Sequence, residues 1–443
     1  MRSLSRHAGT RSFLWIWSGL TISLLGSALT SFALGIRVFQ DTGSTTRYAL
    51  VMFCGALPPL VILPFAGPAL DRLSRKRTLI GCDVLGALAT GVMGLLAWKG
   101  ALSLLWICPI VILVSAASAL QWPAYSATVP LLVPTEQLGR ASGLTQLAQA
   151  TSQVAAPLVA GALVSTIGLA GIAAIDVVTF AFSIATLAVA SIPAAPGAAR
   201  PRPPYARDLA LGWRYIFGHA GLAALLGMFA LTNFFAELAS VLFTPFVLTF
   251  STPAALGTIV SVGGVGLLAG SLAMAVGGGP KRPAQGAAWF AALGGIAVAG
   301  AGFTTSIPAL AAIVAVFFFF LPLTAGSSQV LWQRTVPHDI QGRVFASRAA
   351  IAMSIMPLAS LAAGPLADRV FEPAMAMDGR WARSLGPFVG VGRGRGMALL
   401  LVASGALILL VASVFAVFSP LRRLDASAEA PRAAAPEPSP LTH

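Results

Sequence analysis

Charge is what this sequence has least of. Only 9% of its 443 residues are charged, against roughly a quarter in an ordinary soluble domain. Hydrophobic residues make up 57%, and the mean hydropathy is +0.85, which excludes a soluble globular protein. Cysteine is scarce too: Cys54, Cys82 and Cys108 lie in apolar stretches with neither metal-ligand spacing nor the even count of a disulfide framework, and they read as small core residues. The four histidines, His7, His219, His338 and His443, fall at loops, helix edges or the ends, and no Gly-rich loop with Gly-Lys-Ser/Thr is present. Catalysis, cofactor or metal binding and nucleotide-driven work are therefore not expected. Energy for any work has to come from an ion gradient.

What is abundant is long apolar sequence. Blocks of ~20 residues or more, the length that crosses a ~30 Å hydrocarbon layer as helix, recur twelve times, from about 13–39 to about 397–419. An even number puts both termini on one side. The formal charge of +14 does not point to nucleic acid, because its cations cluster between spans: Arg72, Arg75, Lys76 and Arg77; Arg200, Arg202, Arg207 and Arg214; Lys281 and Arg282; Arg422 and Arg423. With the N-terminus in the cytoplasm most Lys and Arg fall inside, as the positive-inside rule requires. The stretch from Arg369 to Arg395, external in this arrangement, carries five arginines and runs against the rule. Arg2, Arg6 and Arg11 lead into a span of full length with no small-residue cleavage site, so no removable signal peptide is expected. The Pro-, Ala- and Arg-rich stretch between the sixth and seventh spans reads as a polar linker. The expected organisation is a six-helix bundle over 1–191, a cytoplasmic linker over 192–219, a second six-helix bundle over 220–420 and a disordered cytoplasmic tail over 421–443.

An internal repeat supports that division. Pro134-Thr-Glu-Gln-Leu-Gly139-Arg140 before the fifth span returns as Pro337-His-Asp-Ile-Gln-Gly342-Arg343 before the eleventh, 203 residues on, and the same offset carries Gly161 onto Gly364. Two matching six-helix halves place a binding site near the bilayer midplane between them.

At the end of the second span stands Gly67-Pro-Ala-Leu-Asp71-Arg72-Leu-Ser-Arg75-Lys76-Arg77. A short loop between antiparallel helices needs a small residue at close approach, an acid near a helix N-terminus and cations at the headgroups. This segment resembles the loop motif G-x-L-A-D-R-x-G-R-[KR]-[KR] of the major facilitator superfamily. Gly67, Asp71, Arg72, Arg75, Lys76 and Arg77 stand on matching positions, Ala69 and Leu70 are in swapped order, and Ser74 replaces the second glycine. The resemblance implies twelve transmembrane helices in two pseudo-symmetric six-helix bundles, and a gating loop in which Asp71, Arg72 and Arg75 latch the cytoplasmic side. A topogenic cluster without gating is the plainer reading. The corresponding loop in the second half, Gly277-Gly-Gly-Pro-Lys281-Arg282, lacks the acid. Thr42-Gly-Ser44, Val336 to Phe345 with Gly342 and Arg343, Gly364-Pro-Leu-Ala-Asp368-Arg369-Val-Phe-Glu372-Pro373 and Gly392-Arg-Gly-Arg-Gly396 are similar to the enterobactin-exporter-like and macrolide-efflux-like branch of drug:proton antiporters. That likeness implies efflux, multidrug resistance and a bacterial inner membrane. Ala156-Pro157-Leu-Val-Ala160-Gly161 resembles a relaxed antiporter motif G-P-x-x-G-G, with Pro157 and Gly161 as the helix-bending pair; ordinary close packing explains the same residues.

Ionisable groups inside a bilayer are costly, and Arg37, Asp83, Asp176 and Glu237 are conspicuous. Glu237 lies mid-span with Asn233 one turn earlier on the same face. It is the first candidate for proton coupling, set against a protonated glutamate that hydrogen-bonds a neighbouring helix; Asp176 is the second, set against a packing role. Asp83 is expected to pair with a loop arginine. Arg37 either pairs with Asp41 or lines a cavity for anionic ligands, and Asn233, Gln121 and Tyr125 are further cavity candidates beside Trp122, whose ring and that of Tyr125 read equally as interface anchors. The run Phe317 to Phe320 reads as lipid-facing or core packing. The expectation is a plasma-membrane secondary transporter with lipid bilayer, protons and a small molecule as partners. It exports a hydrophobic or amphipathic drug, siderophore or peptide natural product; the alternatives are a lysolipid flippase and a non-transporting sensor on a transporter fold.

Overall fold

In hydrocarbon every backbone N–H and C=O must be satisfied within the chain, so an apolar sequence of this length resolves into helices. The computed structural model describes residues 2–72, 74–134, 137–192, 205–277, 279–337 and 340–417, and among these there is no strand. The helices are α1 (Arg2–Thr42), α2 (Thr45–Arg72), α3 (Arg75–Trp98), α4 (Leu104–Leu132), α5 (Leu138–Leu163), α6 (Gly168–Val189), α7 (Tyr205–Gly218), α8 (Ala220–Leu248), α9 (Pro253–Gly277), α10 (Pro283–Ala301), α11 (Ile307–Thr335), α12 (Gln341–Pro365), a π-helical turn (Leu366–Phe371), α13 (Glu372–Ala374), α14 (Ala382–Val389) and α15 (Arg395–Val417).

Eleven helices among the described residues are long and apolar enough to span a membrane. The twelfth long helix is α5. Thr145, Gln146, Gln149, Thr151, Ser152 and Gln153 lower its hydropathy, but its 26 residues pack between α1 and α9 as a bundle member. Duplication is visible in the element bounds: α4 and α11 both start and stop 203 residues apart, and so do the starts of α5 and α12.

Two connections differ from the expected loops. The interval between bundles is not linker throughout, because Tyr205–Gly218 is an amphipathic helix. Ile216 enters a core with Leu222, Leu225 and Trp332, while Leu211, Trp213 and Phe217 stay exposed, the pattern of a helix lying in a membrane interface. Residues 193–204 and the tail from 418 lie outside the described residues. The arginine-rich stretch after Asp368 is likewise folded: Glu372 accepts from the backbone N–H groups of Gly394 (3.0 Å) and Met397 (2.9 Å), and so caps the start of α15.

The cores reveal the overall shape. At the face where α2 and α9 begin and α5 and α12 end, both halves share one core, with Ile36, Ala49, Ala160, Leu256, Ala363 and Leu401 in a single cluster. At the other face, which carries the start of α1 and the end of α15, the cores are separate. One is confined to the first half around Ile16, Leu79 and Leu187, the other to the second around Leu225, Trp332 and Val344. The halves form a wedge, joined at one face and parted at the face that carries the termini.

Candidate functional site

The joined face is held by small residues and one carboxylate. A Cβ at Gly257 would strike the Pro157 carbonyl and one at Gly161 the Pro253 carbonyl, so the Pro157–Gly161 pair is where α5 and α9 touch backbone to backbone. The Ser261 hydroxyl adds a bond to the Val154 carbonyl (2.6 Å). On the other seam a Cβ at Gly364 would meet the Thr46 backbone. There Asp368 accepts from the Ser44 hydroxyl (2.8 Å) and from the N–H groups of Thr45 (3.2 Å) and Thr46 (2.8 Å), the favourable pairing of a carboxylate with a helix N-terminus.

Two cavities follow the wedge. One of about 250 Å³ sits toward the joined face, with Phe243, Phe317, Phe318, Phe32 and Tyr48 in its wall and Ser240 and Thr244 supplying its few polar atoms. Phe317 and Phe318, read from the sequence as lipid-facing or core packing, pack against the shared core and also form part of this wall, their rings edge to face 5.5 Å apart. Glu237 stands between the halves near this cavity. The Ser360 hydroxyl reaches it at 3.5 Å, and Tyr48 of α2 lines the same cavity as Ala236 and Ser240 on either side of Glu237 along α8. Asn233 is exposed one turn before it and lines neither cavity.

The second cavity, about 270 Å³, lies toward the parted face between α1, α4 and α5, where Trp17, Gln121, Trp122, Tyr125, Thr145 and Gln149 offer rings, amides and hydroxyls but no charge. Tyr125 and Thr145 share a hydrogen bond (3.0 Å), and the Trp122 ring is 6.1 Å from that of Tyr125. Two buried carboxylates stand one side chain behind this wall. Asp83, 0% exposed, accepts from Gln121 (2.7 Å) and Ser183 (2.6 Å). Among the described residues it bonds no arginine, contrary to the sequence expectation, because it points across the bundle toward α4 and α6. Asp176, 1% exposed, accepts from Ser27 (3.3 Å) and Thr179 (3.2 Å), and Gly26 gives α1 room to approach it. Gln121 and Ser27 both line the cavity. Arg37 is ion-paired with Asp41 at 2.6 Å on the exposed side of α1.

After α2, Arg75 donates to the Ala127 carbonyl (2.9 Å), and Lys76 donates to those of Ala188 (2.7 Å) and Ala190 (2.8 Å). Arg75 thus engages the interior of α4 and Lys76 the C-terminus of α6, both in their own half, while Arg77 is exposed. Gly67, Asp71 and Arg72 are helical, but their surroundings lie outside the described residues, as do those of Gly342. Arg343 opens α12 beside α7.

The family model of the Major Facilitator Superfamily matches residues 16–361. The chain belongs to the major facilitator superfamily. It is accordingly a multi-pass membrane transporter and not an enzyme. Macrolide efflux protein A of Streptococcus pyogenes is 27% identical over 419 residues, covering 93% of this chain and 97% of that protein. The multidrug efflux pump Tap of Mycolicibacterium fortuitum is 26% identical over 359 residues, covering 77% and 86%. Among solved structures, an inward-facing, unoccupied bacterial homolog of the human lysosomal transporter Spinster superposes with a TM-score of 0.70 at 14% identity, covering 96% of this chain and 99% of that one; this likeness concerns the fold.

Proposed function

We propose that this transporter exports a hydrophobic or amphipathic small molecule, of the drug, siderophore or peptide natural-product kind, in exchange for protons by alternating access. The observation that carries the reading is the position of Glu237, a half-buried carboxylate at the seam between halves beside an aromatic cavity, with one long hydroxyl bond. A carboxylate so weakly held gains or loses a proton as the seam opens to water, and a gradient does work only when proton binding differs between the two states. Asp176 is the second proton carrier, linked to the other cavity by Ser27. The efflux relatives support the direction of transport. In this reading both termini are cytoplasmic, the parted face looks inward, and the bundles over 1–191 and 220–420, connected through 192–219, rock about their shared core in the plasma membrane. Asp71, Arg72 and Arg75 latch the cytoplasmic side when that face closes.

The experiment is dye flux in proteoliposomes under an imposed pH gradient. Wild type accumulates a lipophilic dye only with the gradient, and Glu237→Gln abolishes the pH dependence while dye binding persists. A Glu237→Gln protein that still responds to the gradient removes Glu237 from the coupling. Gradient-independent movement of a labelled lysolipid selects the flippase reading, and binding without flux selects a sensor.

A further inference from the structure

We propose that Arg348 is an anion-binding group of the second half, at the position that answers by duplication to the cavity wall of the first, and that it takes the acid group of an amphipathic organic anion. Arg348 lies on α12, two turns inside the bundle, and its partners are all neutral. Its guanidinium donates to Gln329 Oε1 (2.9 Å) and to Ser328 Oγ (3.4 Å) and lies 5.2 Å from the centroid of the Trp332 ring. No carboxylate pairs with it among the described residues, where the ion pair present is Arg37–Asp41. A guanidinium carries five N–H donors in a planar fork, so this one keeps donors without an anionic acceptor. An intramembrane cation without a counter-charge marks a place where a ligand supplies one.

The duplication says which way Arg348 faces. The offset of 203 residues relating α4 to α11 and α5 to α12 maps Arg348 onto Thr145 and Ser328 onto Tyr125. In the first half Tyr125 and Thr145 hydrogen-bond across α4 and α5 and line the cavity; in the second, Ser328 and Arg348 make the matching contact across α11 and α12. The position that lines the cavity in the first half therefore carries a hydroxyl there and a cation in the second. A molecule between them meets aromatic rings and amides on one side and a guanidinium on the other. Carboxylates, sulfonates and phosphates match that fork with two parallel hydrogen bonds, and the aromatic wall favours one attached to an apolar body.

This inference rests on the export reading only for the route by which the ligand reaches the cavity, and the test separates the two. Binding of 8-anilinonaphthalene-1-sulfonate is compared with that of N-phenyl-1-naphthylamine, the same ring system without the sulfonate, by equilibrium dialysis of the full chain in nanodiscs against empty nanodiscs. Arg348→Gln is expected to weaken the sulfonate by about tenfold or more, as loss of a charge-assisted hydrogen bond does, and to leave the neutral dye unchanged. Arg348→Lys retains part of the preference and serves as the variant if the glutamine protein does not fold. Equal binding of the sulfonate by wild type and Arg348→Gln overturns the proposal, as does parallel loss of both dyes in a folded Arg348→Lys protein. Displacement by millimolar inorganic phosphate as effective as that by unlabelled sulfonate overturns the amphiphile in favour of a free anion. Flux of neither dye under a pH gradient counts against export and leaves the binding contrast standing.

Discussion

At the scale of the residue, the carboxylates within the spans were legible and their partners were not, while Arg348, which the sequence reading passed over, emerges only from its packing against α11. An acid in an apolar run is conspicuous by composition, but Asp83 finds its donors 38 and 100 residues away along the chain; only the packing of α3 against α4 and α6 brings them together. Arg37 and Asp41 could be paired in advance because four residues is one helical turn. Phe317 and Phe318 went unrecognised as cavity wall because a helix apolar on every side has no face that periodicity can single out. Asp83→Leu leaves Ser183 buried without its acceptor, at about 1–3 kcal/mol, and frees Gln121 at the cavity wall. Its thermal midpoint in detergent should fall well below that of wild type, and that of Asp83→Asn should fall less. A leucine variant as stable as wild type would mean those bonds contribute nothing. Phe317→Ala should weaken binding of a neutral lipophilic dye by severalfold, since an aromatic contact contributes about 0.5–1.5 kcal/mol beyond its buried area; unchanged dye affinity would remove that cavity from the substrate path.

At the scale of the element, helix boundaries followed closely from the apolar blocks, whereas the uses of their ends emerged only from the packing. Gly67-Pro-Ala-Leu-Asp71-Arg72 closes α2 at the parted face, and Gly364-Pro-Leu-Ala-Asp368-Arg369 closes α12 at the joined face, the same small-Pro-acid-Arg pattern on two antiparallel neighbours. In the second, the acid sits on the N-terminus of α2. A carboxylate ending one helix and capping its neighbour across the seam stabilises closure and must let go for the seam to open. Close packing acts with it at Gly257, where a side chain has no room against the Pro157 carbonyl. Gly257→Leu should therefore hold α5 and α9 apart and favour the state open at the joined face, read as a longer distance between spin labels on the two helices. Asp368→Asn should move the same distance distribution in the same direction by less. If the leucine variant keeps the wild-type distribution, backbone contact is not what keeps this face shut.

At the scale of the whole molecule, duplication could be read from one short repeat, but the direction in which the wedge opens could not, because either state satisfies the same helices. That direction resides in the cores, one shared at the joined face and two separate at the other. Alternating access requires the reverse arrangement to be reachable, with the first half's cavity exposed to the opposite side. Gln149 in that cavity wall reports on it. In a protein whose Cys54, Cys82 and Cys108 are replaced, a cysteine at 149 should react with a membrane-impermeant thiol reagent added on the side that carries the termini, and resist it from the other. Substrate with a pH gradient should make it reachable from the opposite side while lowering its reactivity from the first, since one wall cannot face both solutions at once. Reaction from both sides simultaneously would describe a channel, and reaction from one side under every condition would describe a static pocket; either result is incompatible with two halves rocking about their shared core.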